Sequence, residues 1–168
     1  MDEPPRPRRP GSPRTRGVVA CAVVLLASAC SSGPPEIDAP ELSAADAQTC
    51  RDLVADLPAT LDDQKQVETT GDSAYGAAWG DPAIVLTCGV GKLDLSDGPT
   101  CAEADGVGWL VPPDELDGDR DATFTADGYR PRVQLEVPDD YLPEGGAAAL
   151  AELAAPVKAH LEKVEGCI

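Results

Sequence analysis

The chain has 168 residues, and its 30 acidic against 13 basic side chains give a formal charge of −17. That excess excludes a nucleic-acid partner, because affinity for a phosphate backbone is built from lysine and arginine. It also argues against adhesion of the folded part to anionic lipid and reads first as solubility, with a cationic partner or loosely held cations as the functional alternative.

The charge pattern reverses at the N-terminus. Arg6, Arg8, Arg9, Arg14 and Arg16 precede an apolar run from Val18 to Leu26, and Ala27-Ser28-Ala29 follows as a small-residue cleavage site. These are the three parts of a secretory signal, so residues 1–29 are expected to be removed. An uncleaved transmembrane helix is the competing reading, but only 13 residues lie between Arg16 and Cys30, short of the roughly 20 that a span needs. Leu26-Ala27-Ser28-Ala29-Cys30 resembles the lipobox of bacterial lipoproteins, in which the cysteine is diacylated and becomes the first mature residue. Ordinary signal peptidase would cut the same bond and leave a secreted chain without lipid. Cys21 lies inside the apolar core and is read as a bystander. Cleavage after Ala29 leaves 139 residues with eight basic and 28 acidic side chains, a formal charge of −20; that length suits one domain.

Residues 30–42 are expected to be the lipidated cysteine and a flexible tether. Ser31 to Leu42 is rich in Pro, Ser and Gly, and at about 3.1 Å per residue its twelve residues would hold the domain on the order of 35 Å from the membrane. Residues 43–168 then form a single domain. Ser43 with Asp46 suits a capping box, and Ala47, Cys50, Leu53/Val54 and Leu57 recur at helical spacing before Pro58, which predicts a helix over 43–57 with Cys50 on its core face.

Ala83 to Cys88 is short, β-branched and bounded by Pro82 and Gly89, and predicts a central strand. Gly106 to Val111 predicts a second, with Val107, Trp109 and Val111 on one face. Ala122–Ala126 and Tyr129–Val137 flank Asp127-Gly128, which predicts a two-residue hairpin, with Val133, Leu135 and Val137 inward and Arg132, Gln134 and Glu136 outward. Ala147 to Glu165 carries a helical stripe of Ala147, Leu150, Ala154, Val157, Leu161 and Val164, interrupted by Pro156, which predicts a kink or two short helices. The sum is an α+β fold: a two-layer domain with an antiparallel sheet of about four strands packed against an N-terminal and a C-terminal helix.

Cys50, Cys88, Cys101 and Cys167 remain as an even set in an exported chain, which reads as two disulfides with three possible connectivities. The pairing expected is Cys88 with Cys101, closing a short polar excursion, and Cys50 with Cys167, tying the first helix to the C-terminus. Zinc is disfavoured: no two of the four stand at the two-to-four-residue spacing of structural sites, and the chain has one histidine, His160.

The lipobox-like Cys30, the helix with Cys50, Ala77-Ala78-Trp79-Gly80-Asp81-Pro82, Cys88-Gly89-Val90, Gly106-Val-Gly-Trp109 and the Gly128–Pro138 strand with its Arg-x-x-Val pattern together resemble an actinobacterial lipoprotein family, domain of unknown function 3515. The resemblance covers nearly the whole mature chain. It implies an exported, usually lipid-anchored, single-domain protein with no assigned activity.

The residues that could carry chemistry are few. Tyr75, Trp79 and Asp81 are the candidate ligand loop, since an aromatic beside Gly80 and a carboxylate can line a pocket for a small polar ligand; the plainer alternative is that Trp79 plugs the core edge. Trp109 reads as core. Asp117-Gly-Asp119-Arg-Asp121 has alternating carboxylates, but an EF-hand counted from Asp117 would need Gly at position 122 and Glu at 128, where Ala122 and Gly128 stand. No nucleophile elbow, Ser/His/Asp order, HExxH or phosphate loop is present. No cofactor and no metal are expected. The function expected is a lipid-anchored extracytoplasmic module of the cell envelope that binds or assists an envelope protein or small molecule, with the membrane held through the anchor alone. A carboxylate-based envelope hydrolase and a structural spacer are the alternatives.

Overall fold

The computed structural model describes residues 33–92, 98–115, 120–142 and 146–167. The signal segment, the lipobox and Cys30 lie outside the described residues. In chain order the elements are β1 (Glu36–Ile37), α1 (Ala44–Ala55), β2 (Thr60–Leu61), β3 (Gln64–Val67), β4 (Thr70–Gly71), β5 (Gly76–Trp79) and β6 (Ile84–Cys88). They continue with β7 (Thr100–Ala104), β8 (Val107–Val111), β9 (Ala122–Asp127), β10 (Tyr129–Arg130), β11 (Val133–Val137), α2 (Gly146–His160) and β12 (Glu162–Lys163).

The fold is α+β, but the sheet has eight strands instead of four, in the order β2-β3-β5-β6-β11-β9-β8-β7, with every neighbouring pair antiparallel. The four strands expected from sequence are β6, β11, β9 and β8, the contiguous centre. The additions flank them. β5 (GAAW) lacks β-branched residues, β7 (TCAEA) is small or polar and mostly exposed, and β3 (QKQV) is polar and mostly exposed, so none shows the apolar alternation that marks a half-buried strand.

Ser43 caps α1: its Oγ accepts from the Asp46 N–H at 3.1 Å and donates to the Asp46 carboxylate at 2.8 Å. Ala47, Cys50 and Leu53 form the buried stripe. α1 touches β5, while α2 lies against α1, β7 and β8, so the two helices cover the two halves of one sheet face. Between them and the sheet sit Trp79, Leu86, Trp109, Phe124, Leu135 and their neighbours. α2 runs as one assigned helix through a buried Pro156 and ends at His160, short of the expected Glu165. Val164 lies beyond it and donates its N–H to the Gly128 carbonyl at 2.7 Å.

The hairpin expected at Asp127-Gly128 is replaced by a wider connection. β11 pairs with β9 in the register Gln134↔Thr125 and Val137↔Ala122, four residues from the two-residue-hairpin register, and β10 turns aside to pair with β12. An even shift keeps side-chain parity, which is why Val133, Leu135 and Val137 still point inward and are buried. Gly128 is needed here. It has φ +76°, and a Cβ would stand 3.0 Å from the Cα of Gly166, where the C-terminal segment crosses the turn.

Both expected disulfides are corrected: Cys50 pairs with Cys88 and Cys101 with Cys167, at Cα separations of 5.6 and 6.2 Å. Cys88 is on the inner face of β6, under Cys50 of α1. Cys101 lies opposite Leu110 on the other face of β7, the edge strand, four places from β6. At about 4.8 Å per strand that is roughly 19 Å, far beyond the reach of one disulfide.

The expected tether is also corrected over its last residues. β1 pairs in parallel with β4, the Pro35 and Ile37 carbonyls accept from Thr70 and Asp72 at 2.9 and 2.8 Å, and Ile37 is 1% exposed. Its side chain lies against Gly76, where a Cβ would come within 2.8 Å of the Ile37 Cγ2. Gly76 faces away from the helices, being opposite Thr87, so this strap crosses the outer side of the sheet. Leu42 packs at Gly89, its side chain filling the place a Cβ would take. A Pro-rich composition concealed one well-placed isoleucine.

Candidate functional site

The three candidate ligand residues do not share a surface. Trp79 ends β5 on the inner face, opposite Ile84. It is fully buried and donates its indole N–H to the Pro58 carbonyl at 2.9 Å. Both its ring and its polar edge are committed to the fold. Tyr75 closes the short helical turn Ser73–Tyr75 beside α1, where Arg51 stacks its guanidinium 5.9 Å from the ring centre and reaches the hydroxyl at 3.3 Å. It borders a shallow hollow with Leu42 and Asp72.

Asp81 alone faces a larger space. A groove of about 480 Å³ runs between residues 33–35 of the strap, Val67 and Glu68 at the end of β3, and the β5–β6 turn at 80–83. Gly80, at φ +80°, lets the chain reverse, and Asp81 and Pro82 are exposed on that turn. The volume falls in the range of small-molecule sites, roughly 300–1,000 Å³. Its walls are apolar at Val67 and the prolines and acidic at Glu68 and Asp81. Val67 is the exposed large hydrophobic among the described residues.

Tyr141, which sequence reasoning passed over, holds this turn. Its hydroxyl donates to the Pro82 carbonyl at 2.8 Å, and a Cβ on Gly80 would stand 2.8 Å from that same oxygen. Burial raises the pKa of the phenol, and the carboxylates of Asp140, Asp81 and Asp62 act the same way against an opposing hydrogen bond with the Asp81 main chain. Tyr141 therefore stays a proton donor at neutral pH. Asp62, on the β2–β3 turn, has its carboxyl pKa raised by burial and then by Asp63. A tyrosine 59 residues from its partner carbonyl leaves no local sequence signal.

The remaining candidates are engaged elsewhere. His160 Nε2 is 3.0 Å from an Asp56 carboxylate oxygen, linking the C-terminal ends of the two helices. Of the acidic turn, residues 116–119, which include Asp117 and Asp119, lie outside the described residues. Asp114 pairs with Arg120 at 3.1 Å, and the Asp121 carboxylate accepts from the Asp139 N–H at 3.1 Å. Among the described residues no group of three His, Cys, Asp or Glu side chains is placed to hold a metal ion, and no helix is long and apolar enough to cross a membrane.

No curated protein and no solved structure matches the chain. A family model described as "Protein of unknown function (DUF3515)" matches residues 15–166. That span takes in the strap, both helices, all eight strands of the sheet and nearly the whole chain, and the protein belongs to the DUF3515 family.

Proposed function

We propose that this protein is a lipid-anchored, extracytoplasmic module of the cell envelope that binds a small ligand in the groove beside Asp81. The observation that carries the reading is the groove itself, with an apolar floor and two carboxylates at its edge. Such walls suit a ligand with a positive group on an apolar body. A spacer would have no use for it.

The anchor and the groove are close in the chain. Gly33 lines the groove, and three peptide units, about 11 Å at most, separate it from Cys30. A diacylated Cys30 would hold the groove near the bilayer surface instead of on a long tether, so the ligand would be taken from molecules at that surface.

Two measurements test the two halves of the reading. Cys30→Ser should release the protein from membranes; a variant that stays membrane-bound contradicts the lipid anchor. A thermal-shift screen of the mature chain against amphiphilic amines and their neutral analogues should give shifts for the amines that Asp81→Asn removes. Equal shifts for both classes, or none, contradict binding in the groove.

A further inference from the structure

On the outer face of the sheet the central strands carry a polar row. Register places Gln134 of β11 between Thr87 of β6 and Thr125 of β9. Arg132, just before β11, accepts the Gly89 N–H at its carbonyl and lies within the electrostatic reach of Asp127 at the end of β9. Thr125 is the one buried polar residue among the described residues, 2% exposed, and its hydroxyl has no hydrogen-bond partner; the other buried orphan is the indole N–H of Trp109, on the inner face. Buried polar groups are almost always satisfied, and an orphan asks for an explanation such as a ligand.

Arg132 is half-buried and makes no side-chain hydrogen bond or ion pair among the described residues. Arg130, beside it, spends one N–H on the Tyr129 carbonyl at 2.6 Å. Burial, reinforced by the positive charge of Arg130 and opposed by Asp127, pulls the pKa of Arg132 below the usual arginine value, though a guanidinium remains charged at neutral pH. Arg130 has Glu162 across from it in the β10–β12 pair, while Arg132 is offset only by Asp127, so the Arg132 guanidinium is the one left to take an anion. Of the other described cations, Arg51 is engaged by Gln48 and Tyr75, Arg120 by Asp114 and Lys158 by Asp105, while Lys65, Lys92 and Lys163 are exposed.

We propose that Arg132, Gln134 and Thr125, with Arg130 at the rim, form a binding site for a phosphate group on the outer face of the sheet. Every group in the set donates. The guanidinium fork of Arg132 matches two phosphate oxygens, the Thr125 hydroxyl and Gln134 amide supply neutral donors to a third, and Arg130 adds charge. The attraction is between an anion and guanidiniums, so affinity should fall with added salt, less steeply because Asp127 lowers the net charge of the site.

Isothermal titration calorimetry of the full mature chain, disulfides intact, with inorganic phosphate at low ionic strength reads the site. Saturable binding is expected, weakened at least tenfold in Arg132→Gln, several-fold in Thr125→Val and unchanged in Arg51→Gln. Thr125→Val separates binding from folding. Removing an unpartnered buried hydroxyl leaves the melting temperature equal or higher, whereas a site residue loses affinity as well. Phosphate affinity unchanged in both Arg132→Gln and Thr125→Val overturns the proposal, as does the absence of saturable binding. The phosphate could belong to a lipid headgroup or to a soluble molecule, and sedimentation of the Cys30→Ser protein with phosphatidylglycerol vesicles distinguishes them. Arg132-dependent pelleting assigns the headgroup; phosphate binding without pelleting assigns a soluble ligand.

Discussion

The two faces of the sheet are held by different means. The inner face is apolar along every central strand, covered by both helices and closed by Cys50–Cys88. The outer face carries the chain termini at its ends: Ile37 of the strap lies on Gly76 at one end, and Cys167 is tied to Cys101 at the other, with Leu110 and Thr125 buried between them. Between those covers lies a row of hydroxyl, amide and guanidinium groups. The difference separates roles. The inner face is where substitution should cost stability, and the outer face is where substitution should cost binding.

The largest effect is expected inside. Leu135 is fully buried at the middle of β11, between Leu86 and Phe124, and Leu135→Ala should lose about 3 to 5 kcal/mol in denaturant unfolding. Replacing Cys50 and Cys88 by alanine should cost about 4 kcal/mol on the loop-entropy estimate, and so should replacing Cys101 and Cys167, since the closed loops span 38 and 66 residues. Peptide mapping without reduction should recover Cys50 with Cys88 and Cys101 with Cys167; a Cys88–Cys101 peptide would break the distinction between the faces.

Smaller effects sharpen the comparison. Ile37→Ala should cost about 2 to 3 kcal/mol and expose the amides of Thr70 and Asp72 to hydrogen exchange while leaving those of β11 protected. Tyr141→Phe removes the hydroxyl that Pro82 accepts from and should cost about 1 kcal/mol. The phenol pKa is raised on folding, so the folded state binds that proton more tightly. The matching stability is present below the ordinary tyrosine value near 10 and is lost as pH rises through the folded value. Unfolding curves of Tyr141→Phe should lack that alkaline decline. Thr125→Val, smallest of all, should leave stability unchanged or slightly higher.

How legible the molecule was follows the same division. Alternation in Val133-Gln-Leu-Glu-Val137 and the β-branched run before Cys88 mark central strands, because each buries one face in a continuous core. β3 and β7 do not announce themselves: their partners, not their own side chains, make them strands. The capping of α1 was readable because Ser43 and Asp46 are three residues apart. The disulfide pairing was not, because it depends on which face and which edge each cysteine occupies. The candidate loop was legible only in part. Asp81 reaches a groove, but a second wall comes from residues 33–35, whose docking rests on Ile37, and Tyr141 arrives from a distant turn. The outer-face row needed the β9–β11 register, which the Asp127-Gly128 signal set four residues away.

The central claim about phosphate is that the polar middle of the outer face, and not the core side of the sheet, binds it. Amide chemical-shift mapping of the isotope-labelled mature chain during titration with inorganic phosphate tests it most directly. The account predicts saturable shifts confined to Thr125, Asp127, Arg130 and Arg132 to Gln134, absent in Arg132→Gln. Shifts spread over the lysines at the surface, or none at these strands, would contradict it.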